Sequence, residues 1–209
     1  SKEMRDPFVL NPQETVSEEQ RQKSKDGFVV EQVDGINGWS GIGMMAVANT
    51  RVVRRSAALM EQNQKSYGSN FTFGEHGLFS TKRMARLASY GSILAFLVIG
   101  TPLKYLVRPF LLKPGQGPSQ ETQDKGWFRA TFVAHSEDNE RKICSMYGSG
   151  DPGYKSTAKM VCESAIALAR SNDLPGGSEY GGGLTSAVGL GDVLIERLKN
   201  AEIEFKVIS

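Results

Sequence analysis

From Leu87 to Leu103 the chain runs seventeen residues without a charged side chain, and Ile93-Leu94-Ala95-Phe96-Leu97-Val98-Ile99 within it is apolar without a break. Seven consecutive apolar residues cover every side of a helix, so a partner of some kind must meet them. A membrane-spanning helix needs roughly 17–25 apolar residues, and Ser89, Gly91, Ser92, Gly100, Thr101 and Pro102 interrupt this run, which argues against a single pass. Lys82, Arg83 and Arg86 precede the stretch, while Lys104, Arg108 and Lys113 follow it. Basic flanks on both sides fit an apolar helical hairpin over residues 87–112, with both ends at one anionic surface. Pro109 is expected to bend or end the second arm. Ile93, Leu94, Phe96, Leu97, Val98, Ile99, Leu106 and Phe110 are its expected contacts with a membrane or a partner. A buried helix pair packed against further protein accounts for the same residues equally well.

The rest of the composition is that of a folded soluble domain. Twenty-five Lys and Arg against 23 Asp and Glu leave 209 residues with a net charge of +2, and 39% of residues are hydrophobic. This balance argues against disorder, collagen-like repeats and strong nucleic-acid binding. A chain of this length buries roughly 70% of its unfolded surface without metal or disulfide support. Cys144 and Cys162 have no zinc-type spacing and make no disulfide framework, so a reducing, intracellular compartment is expected. The opening Ser1-Lys2-Glu3-Met4-Arg5-Asp6-Pro7 has neither an initiator methionine nor a signal pattern and reads as a piece of something longer.

Residues 1–27 are polar and read as a connector; residues 28–209 read as one α+β domain, a mixed or antiparallel sheet covered by helices. Strands are expected at 28–33 and 70–74. A helix over 44–61 is expected to pack through Met45, Ala48, Val52 and Leu59, with Arg51, Arg54 and Arg55 solvated. Trp127 to Ala134 and Lys142 to Tyr147 form an expected antiparallel hairpin, and 202–208 a closing strand. Ser156 is placed as the cap of a helix running to about Arg170, with Ala158, Val161, Ala165 and Leu168 recurring at helical spacing. A last helix over 185–201 carries Leu184, Val188, Ile195 and Leu198 on one side.

Two glycine clusters invite a dinucleotide reading. That reading requires a tight turn from a parallel strand into a helix, where the pyrophosphate meets the helix N–H groups. Gly41-Ile42-Gly43 stands seven residues beyond its expected strand. Gly148-Ser149-Gly150-Asp151-Pro152-Gly153 lacks a second strand after its helix, and Asp151 puts negative charge where phosphate would lie. No cofactor site is therefore expected in this chain. Tyr154, Lys155 and the adjoining helix start remain candidates for holding a carboxylate or another anion. His76 and His135 show no ligand spacing, so no metal site is expected; His76, beside Glu75, becomes a candidate general acid or base only where substrate binds there. No catalytic residue is assigned.

Several segments, in order, resemble the C-terminal half of saccharopine dehydrogenase-like oxidoreductases over nearly the whole chain. They are Asp6-Pro7-Phe8-Val9-Leu10-Asn11-Pro12, Val52-Val53-Arg54-Arg55-Ser56 and Tyr67-Gly68. Gly115-Gln116-Gly117-Pro118-Ser119, Gly126-Trp127-Phe128, Gly150-Asp151-Pro152-Gly153-Tyr154 and Thr157-Ala158-Lys159-Met160 follow. The end matches best, with Gly182-Gly183-Leu184-Thr185 leading into Gly191-Asp192-Val193-Leu194-Ile195-Glu196-Arg197-Leu198; Ser186 departs from the family's proline. The resemblance implies an N-terminal Rossmann domain, absent from this sequence, that binds NAD(P). Some such proteins are associated with lipid droplets or mitochondria, and some microbial ones resemble enoyl reductases acting on lipid chains.

Two functions follow. In the first, this chain is the substrate-facing and assembly half of an NAD(P)-dependent oxidoreductase, working with a Rossmann domain or chain as partner. Arg54, Arg55, Tyr154 and Lys155 are then the candidate substrate-binding residues, although arginines on helices more often form solvated ion pairs. In the second, it is a non-catalytic accessory or scaffold subunit held to a membrane, lipid droplet or larger complex by the apolar hairpin.

Overall fold

The computed structural model describes residues 6–12, 16–24, 27–68, 70–110, 115–170, 172, 174–175 and 181–208. The fold is α+β with small antiparallel sheets, and the chain divides into two compact units, 1–111 and 112–209.

In the first unit, α1 (Glu18–Lys23) begins at Ser17, whose hydroxyl accepts from the Gln20 N–H while the Gln20 side chain accepts from the Ser17 N–H. This reciprocal cap satisfies two backbone donors. Strand β1 (Trp39–Gly41) pairs antiparallel with β2 (Gly77–Phe79), and helix α2 (Ala46–Gln62) lies between them in the chain. Helix α3 (Lys82–Ile99) follows, capped by the Thr81 hydroxyl on the Met84 N–H. The buried Ser89 of α3 accepts the Ile42 N–H at 2.9 Å, which ties the ribbon to the helix.

Both strands expected here fall elsewhere. Residues 28–33 make only a single bridge, Gln32 with Trp39, and 71–76 have no regular structure. The earlier segment is pinned instead by Ser40, whose hydroxyl donates to the Val29 carbonyl and accepts from the Glu31 N–H. Backbone bonds add to it: the Ser40 N–H donates to the Glu31 carbonyl at 2.8 Å and the Val33 N–H to the Gly38 carbonyl at 3.0 Å.

Helix α2 is where the sequence expects it, but its faces are exchanged. Met45 and Val52 are exposed, whereas Thr50, Arg51, Arg54, Ser56 and Ala58 are buried. Helical periodicity locates a stripe; it does not say which stripe faces inward.

The expected apolar hairpin is also corrected. Gly100, Thr101 and Pro102 stop α3, and only a four-residue helix, α4 (Lys104–Val107), and a 3-10 turn (Arg108–Phe110) follow. Pro109 has no N–H to continue the ladder, so no second arm of comparable length forms among the described residues. The end of the 87–112 stretch lies outside those residues. No described helix is long and apolar enough to cross a membrane. Leu94, Phe96, Leu97, Ile99 and Leu106 are exposed, Ile93 marginally so, and Val98 is half-buried.

The second unit opens with α5 (Gln120–Lys125), capped by the Ser119 hydroxyl on the Thr122 N–H. Strands β3 (Trp127–His135) and β4 (Arg141–Ser149) form the expected hairpin. Helices α6 (Lys155–Ala169) and α7 (Ser186–Asn200) come next, and β5 (Ile203–Val207) returns antiparallel to β4, giving the order β3-β4-β5. The core holds Ile143, Ala167, Val188, Leu190, Leu198 and Ile203. As in α2, the expected stripe of α6 faces outward: Ala158, Val161, Ala165 and Leu168 are exposed, while Ser156 and Ala167 are buried. Ser156 is not the cap; Tyr154 holds that position, and the Ser156 hydroxyl bonds the Ser149 and Gly150 carbonyls at 3.0 Å each. Glu163 of α6 pairs with Arg197 of α7 at 2.7 Å. Helix α7 breaks at Gly191, where φ is 49° and ψ −136°. The break resets the helical phase, which buries Leu190 and leaves Ile195 at the surface.

Gly126 joins α5 to β3 with the Asp151 backbone against it; an added Cβ would stand 2.6 Å from the Asp151 nitrogen and Cα. Because the obstacle is backbone, no rotamer relieves it. Gly126→Ala is expected to lower stability by about 1–3 kcal/mol, read as a drop in the urea midpoint; an unchanged midpoint would contradict this packing.

Candidate functional site

A pocket of about 550 Å³ opens in the first unit. Its size falls within the roughly 300–1,000 Å³ usual for small-molecule sites. Phe28, Ile42, Val47, Phe73 and Phe96 supply apolar wall, and Ser24, Thr50, Glu75 and His76 supply polar groups. Three features of the chain build this space. The turn after β1 carries Ile42 and Gly43 into α2; the irregular residues 72–76 lead into β2; and α3 contributes Ser92 and Phe96.

Arg54 holds the pocket's frame. The residue is 4% exposed, and its guanidinium donates to the Pro7 carbonyl at 3.2 Å and to the Phe73 carbonyl at 3.1 Å and lies 5.2 Å from the Phe8 ring centre. A planar fork reaches two carbonyls on different segments, which a lysine ammonium cannot match in geometry. Arg55, its neighbour, turns to the Leu10 carbonyl. The Asn11 side-chain amide donates to the Arg54 carbonyl at 3.4 Å. Residues 7–11 are thus docked on α2 by two adjacent arginines, with Phe8 buried. Asp6 completes the anchor: it accepts the Phe8 N–H at 2.9 Å and pairs with Arg21 at 3.1 Å. The Phe8 N–H bond holds its carboxyl below the usual carboxylate value against the opposing effect of burial, with the Arg21 and Arg51 guanidinium groups adding to the lowering.

Two polar features belong to residues of the pocket wall. Helix α2 begins at Met45 without a side-chain cap, and its Ala46 and Ala48 N–H groups donate instead to the Gly43 and Met45 carbonyls at 3.2 and 2.9 Å. Ser24, 3% exposed, has no hydrogen-bond partner for its hydroxyl among the described residues. The pocket's cations are engaged: Lys23 pairs with Glu19 at 2.7 Å, and Arg54 with the two carbonyls. Glu75 accepts from the Asn49 side chain at 2.8 Å and brings negative charge to the wall.

The four residues expected to bind substrate are divided. Arg54 lines the pocket and Arg55 does not; Tyr154 and Lys155 belong to the second unit. At α6 the Asp151 carboxylate accepts the N–H groups of Gly153, Tyr154 and Lys155 at 3.0–3.1 Å. The chain's own side chain fills the anion position of that helix start. The Lys155 ammonium donates to Asp124 at 2.6 Å, and this bond holds the Asp124 carboxyl below its usual value. Of the pocket residues, Ser24 and Thr50 carry no sequence signal. His76 does, through its place beside Glu75, and the structure puts both at the wall. Phe96, read from sequence as a membrane or partner contact, is part of the wall as well.

Neither glycine cluster forms a dinucleotide turn. Strand β1 ends on Gly41 itself, which removes the spacing objection, but its only sheet neighbour among the described residues, β2, is antiparallel. The second cluster follows β4, whose sheet is also antiparallel, and Asp151 occupies the helix start.

Comparison with known proteins gives a consistent picture. The chain is 30% identical, over 218 aligned positions, to a Mycobacterium tuberculosis protein provisionally named a trans-acting enoyl reductase, covering 98% of this chain and 50% of that protein. It is 32% identical to the trans-acting enoyl reductase of Mycobacterium bovis across 79% of this chain and 40% of that protein. The corresponding protein of Mycobacterium ulcerans is 33% identical across 77% of this chain and 39% of its own length. The chain therefore spans half or less of the length of these relatives. No family model matches it, and no solved structure does.

These findings correct the functional reading taken from the sequence. The relatives are enoyl reductases, not saccharopine dehydrogenases, so both that resemblance and the saccharopine dehydrogenase half are set aside. Two of the motifs that suggested them have structural roles: Gly150, with φ of 90°, and Asp151 make the strand-to-helix turn, and Gly126 admits the Asp151 backbone. Any chain with that turn needs such residues, whatever its chemistry. The membrane-bound scaffold has no support either, since α3 is not followed by a second arm and no described helix can cross a membrane.

Removing the Arg54 fork leaves two carbonyls short of a donor. Arg54→Ala is expected to cost roughly 2–4 kcal/mol, and Arg54→Lys to recover only part of it; full recovery would mean that charge alone matters. Because the folded value of Asp6 is lowered, its contribution to stability is complete above the unfolded carboxylate range and is lost as pH falls through the folded value. Asp6→Asn should remove that part of the acid dependence, measured as the urea midpoint from neutral pH downward.

Proposed function

We propose that these residues form the acyl-binding part of a trans-acting enoyl reductase, an enzyme that saturates the carbon–carbon double bond beside an acyl carbonyl while the acyl chain is carried by another protein. The observation that carries this reading is the alignment, which runs through 98% of the chain and so includes both units. An apolar-walled pocket with Glu75 and His76 at its wall is in keeping with it: apolar wall receives a hydrocarbon and excludes water, and a titratable group can hold or deliver a proton.

Saturation of an enoyl group takes a hydride and a proton. NAD(P) is proposed as the hydride source, held by a Rossmann-type domain outside these 209 residues. The residues here do not fit the dinucleotide, because both strand-to-helix turns leave antiparallel sheets and Asp151 fills the one that starts α6. No step is derived through it. What this chain contributes is binding, orientation and exclusion of water.

Reduction of a 2-enoyl thioester in the native extract, followed by mass spectrometry as gain of two hydrogens, tests the reading. Depletion of this protein should abolish the gain and adding it back should restore it; an unchanged reduction after depletion would overturn the proposal. In calorimetry, NADH and NADPH should give no heat with the isolated chain. Binding at micromolar concentration would show that one of the glycine turns accepts the nucleotide after all.

A further inference from the structure

We infer that the outer face of α3 docks an acidic amphipathic helix of a partner protein, with Leu87, Tyr90, Leu94 and Leu97 as its apolar seam and Arg83 and Arg86 as its cations. This goes beyond the reading of the chain as an enoyl reductase and does not rest on it.

Three observations carry it. First, α3 presents its small side chains inward and its large ones outward. Ala85 and Ser89 are its buried residues, and Ser89 is the one bonded to Ile42, so small groups seat the helix on the ribbon. Leu87, Tyr90, Leu94 and Leu97 are 61–78% exposed. Second, those four recur at spacings of three, four and three, the pattern of a seam that one further helix fills. A contiguous apolar stripe left in water marks an interaction surface.

Third, charge is segregated. From His76 to Gln120 there is no Asp or Glu, while Lys82, Arg83, Arg86, Lys104, Arg108 and Lys113 lie within the same stretch. The rest of the chain holds nineteen Lys and Arg against twenty-three Asp and Glu, so a net charge of +2 divides into +6 here and −4 elsewhere. Lys82, Arg83 and Arg86 are exposed at the start of α3, with no acidic residue in its first turn and no ion pair among the described residues. Cations at that end of a helix oppose its dipole. Carboxylates brought by a partner offset this unfavourable charge.

The same charge selects the occupant. A second copy brings only further cations to this face and no carboxylate. Nucleic acid would meet the cations but leave the hydrocarbon seam uncovered. A helix with an apolar stripe flanked by acids answers both features.

Fluorescence anisotropy of a labelled three-heptad peptide, with Leu at a and d and Glu at the flanking positions, tests this against a peptide with Lys in place of every Glu. The Glu peptide should bind the chain and the Lys peptide should not. Raising salt from about 50 to about 500 mM should weaken the Glu peptide roughly fivefold, because screening shortens the reach of Arg83 and Arg86. Leu94→Gln with Leu97→Gln, exposed positions given another good helix former, should weaken it roughly tenfold or more. Arg83→Glu with Arg86→Glu should exchange the preference, so that the Lys peptide binds and the Glu peptide does not.

Equal binding of the two peptides, binding of neither, or no effect of either double variant would overturn the assignment. Three rival occupants would overturn it too, each with its own readout. A dimer in light scattering that Leu94→Gln with Leu97→Gln dissociates would give the face to a second copy. Sedimentation with phosphatidylserine vesicles that the same variant abolishes would give it to lipid. Loss of Glu-peptide binding in protein purified from the native extract would show the face covered within a longer polypeptide. Peptide binding is read without turnover, so none of these outcomes bears on enoyl reduction.

Discussion

The first unit is organised by a positive charge buried on the inner face of a helix. Arg54 joins residues 7–11, α2 and the irregular segment before β2 through two carbonyls and one aromatic face. A buried guanidinium is stabilising only when its donors are met, so the chain must bring the Pro7 and Phe73 carbonyls to it. That requirement explains why a polar opening segment is docked at all, and why 71–76 can stay without regular structure yet form a fixed wall. The pocket lies within the same frame, with Phe73 in its wall and Arg54 in its lining.

The elements that the sequence locates well are those with strong local signals. The β3–β4 hairpin, the closing strand β5 and the bodies of α2, α6 and α7 fall where alternation and helical spacing put them. The faces of α2 and α6 do not. On α2, Met45 and Val52 look like core by hydropathy, but the hydrogen bonds of Arg54 to the Pro7 and Phe73 carbonyls outweigh that preference and turn the polar stripe inward. On α6 the inner stripe carries Ser156, whose hydroxyl serves two carbonyls. Short strands were illegible for a different reason: β1 and β2 span three residues each, too few for alternation to register, and their closeness depends on Gly41 and Gly77 rather than on apolar side chains.

Of the candidate site, only fragments could be read. His76 and Glu75 are legible as titratable neighbours, and Arg54 as a cation, but their common pocket is a tertiary fact built by segments as far apart in the chain as Lys23 and Phe96. Ser24 gives no signal in one dimension, because an unpartnered buried hydroxyl is defined by what surrounds it. The glycine and aspartate runs that suggested a dehydrogenase are demanded by backbone geometry, as at Gly126 and Gly150, and so report a turn rather than a reaction.

Asp151 carries a consequence for the environment in which the second unit works. Its carboxylate meets three consecutive N–H groups at the start of α6, so that end of the helix holds its own fixed counter-ion. A helix end neutralised by mobile ions gains or loses stability with the ionic strength of its surroundings. Here the acceptor is covalently attached and sits at hydrogen-bonding distance, so the turn from β4 into α6 carries its own partner for those N–H groups and recruits no mobile ion to meet them.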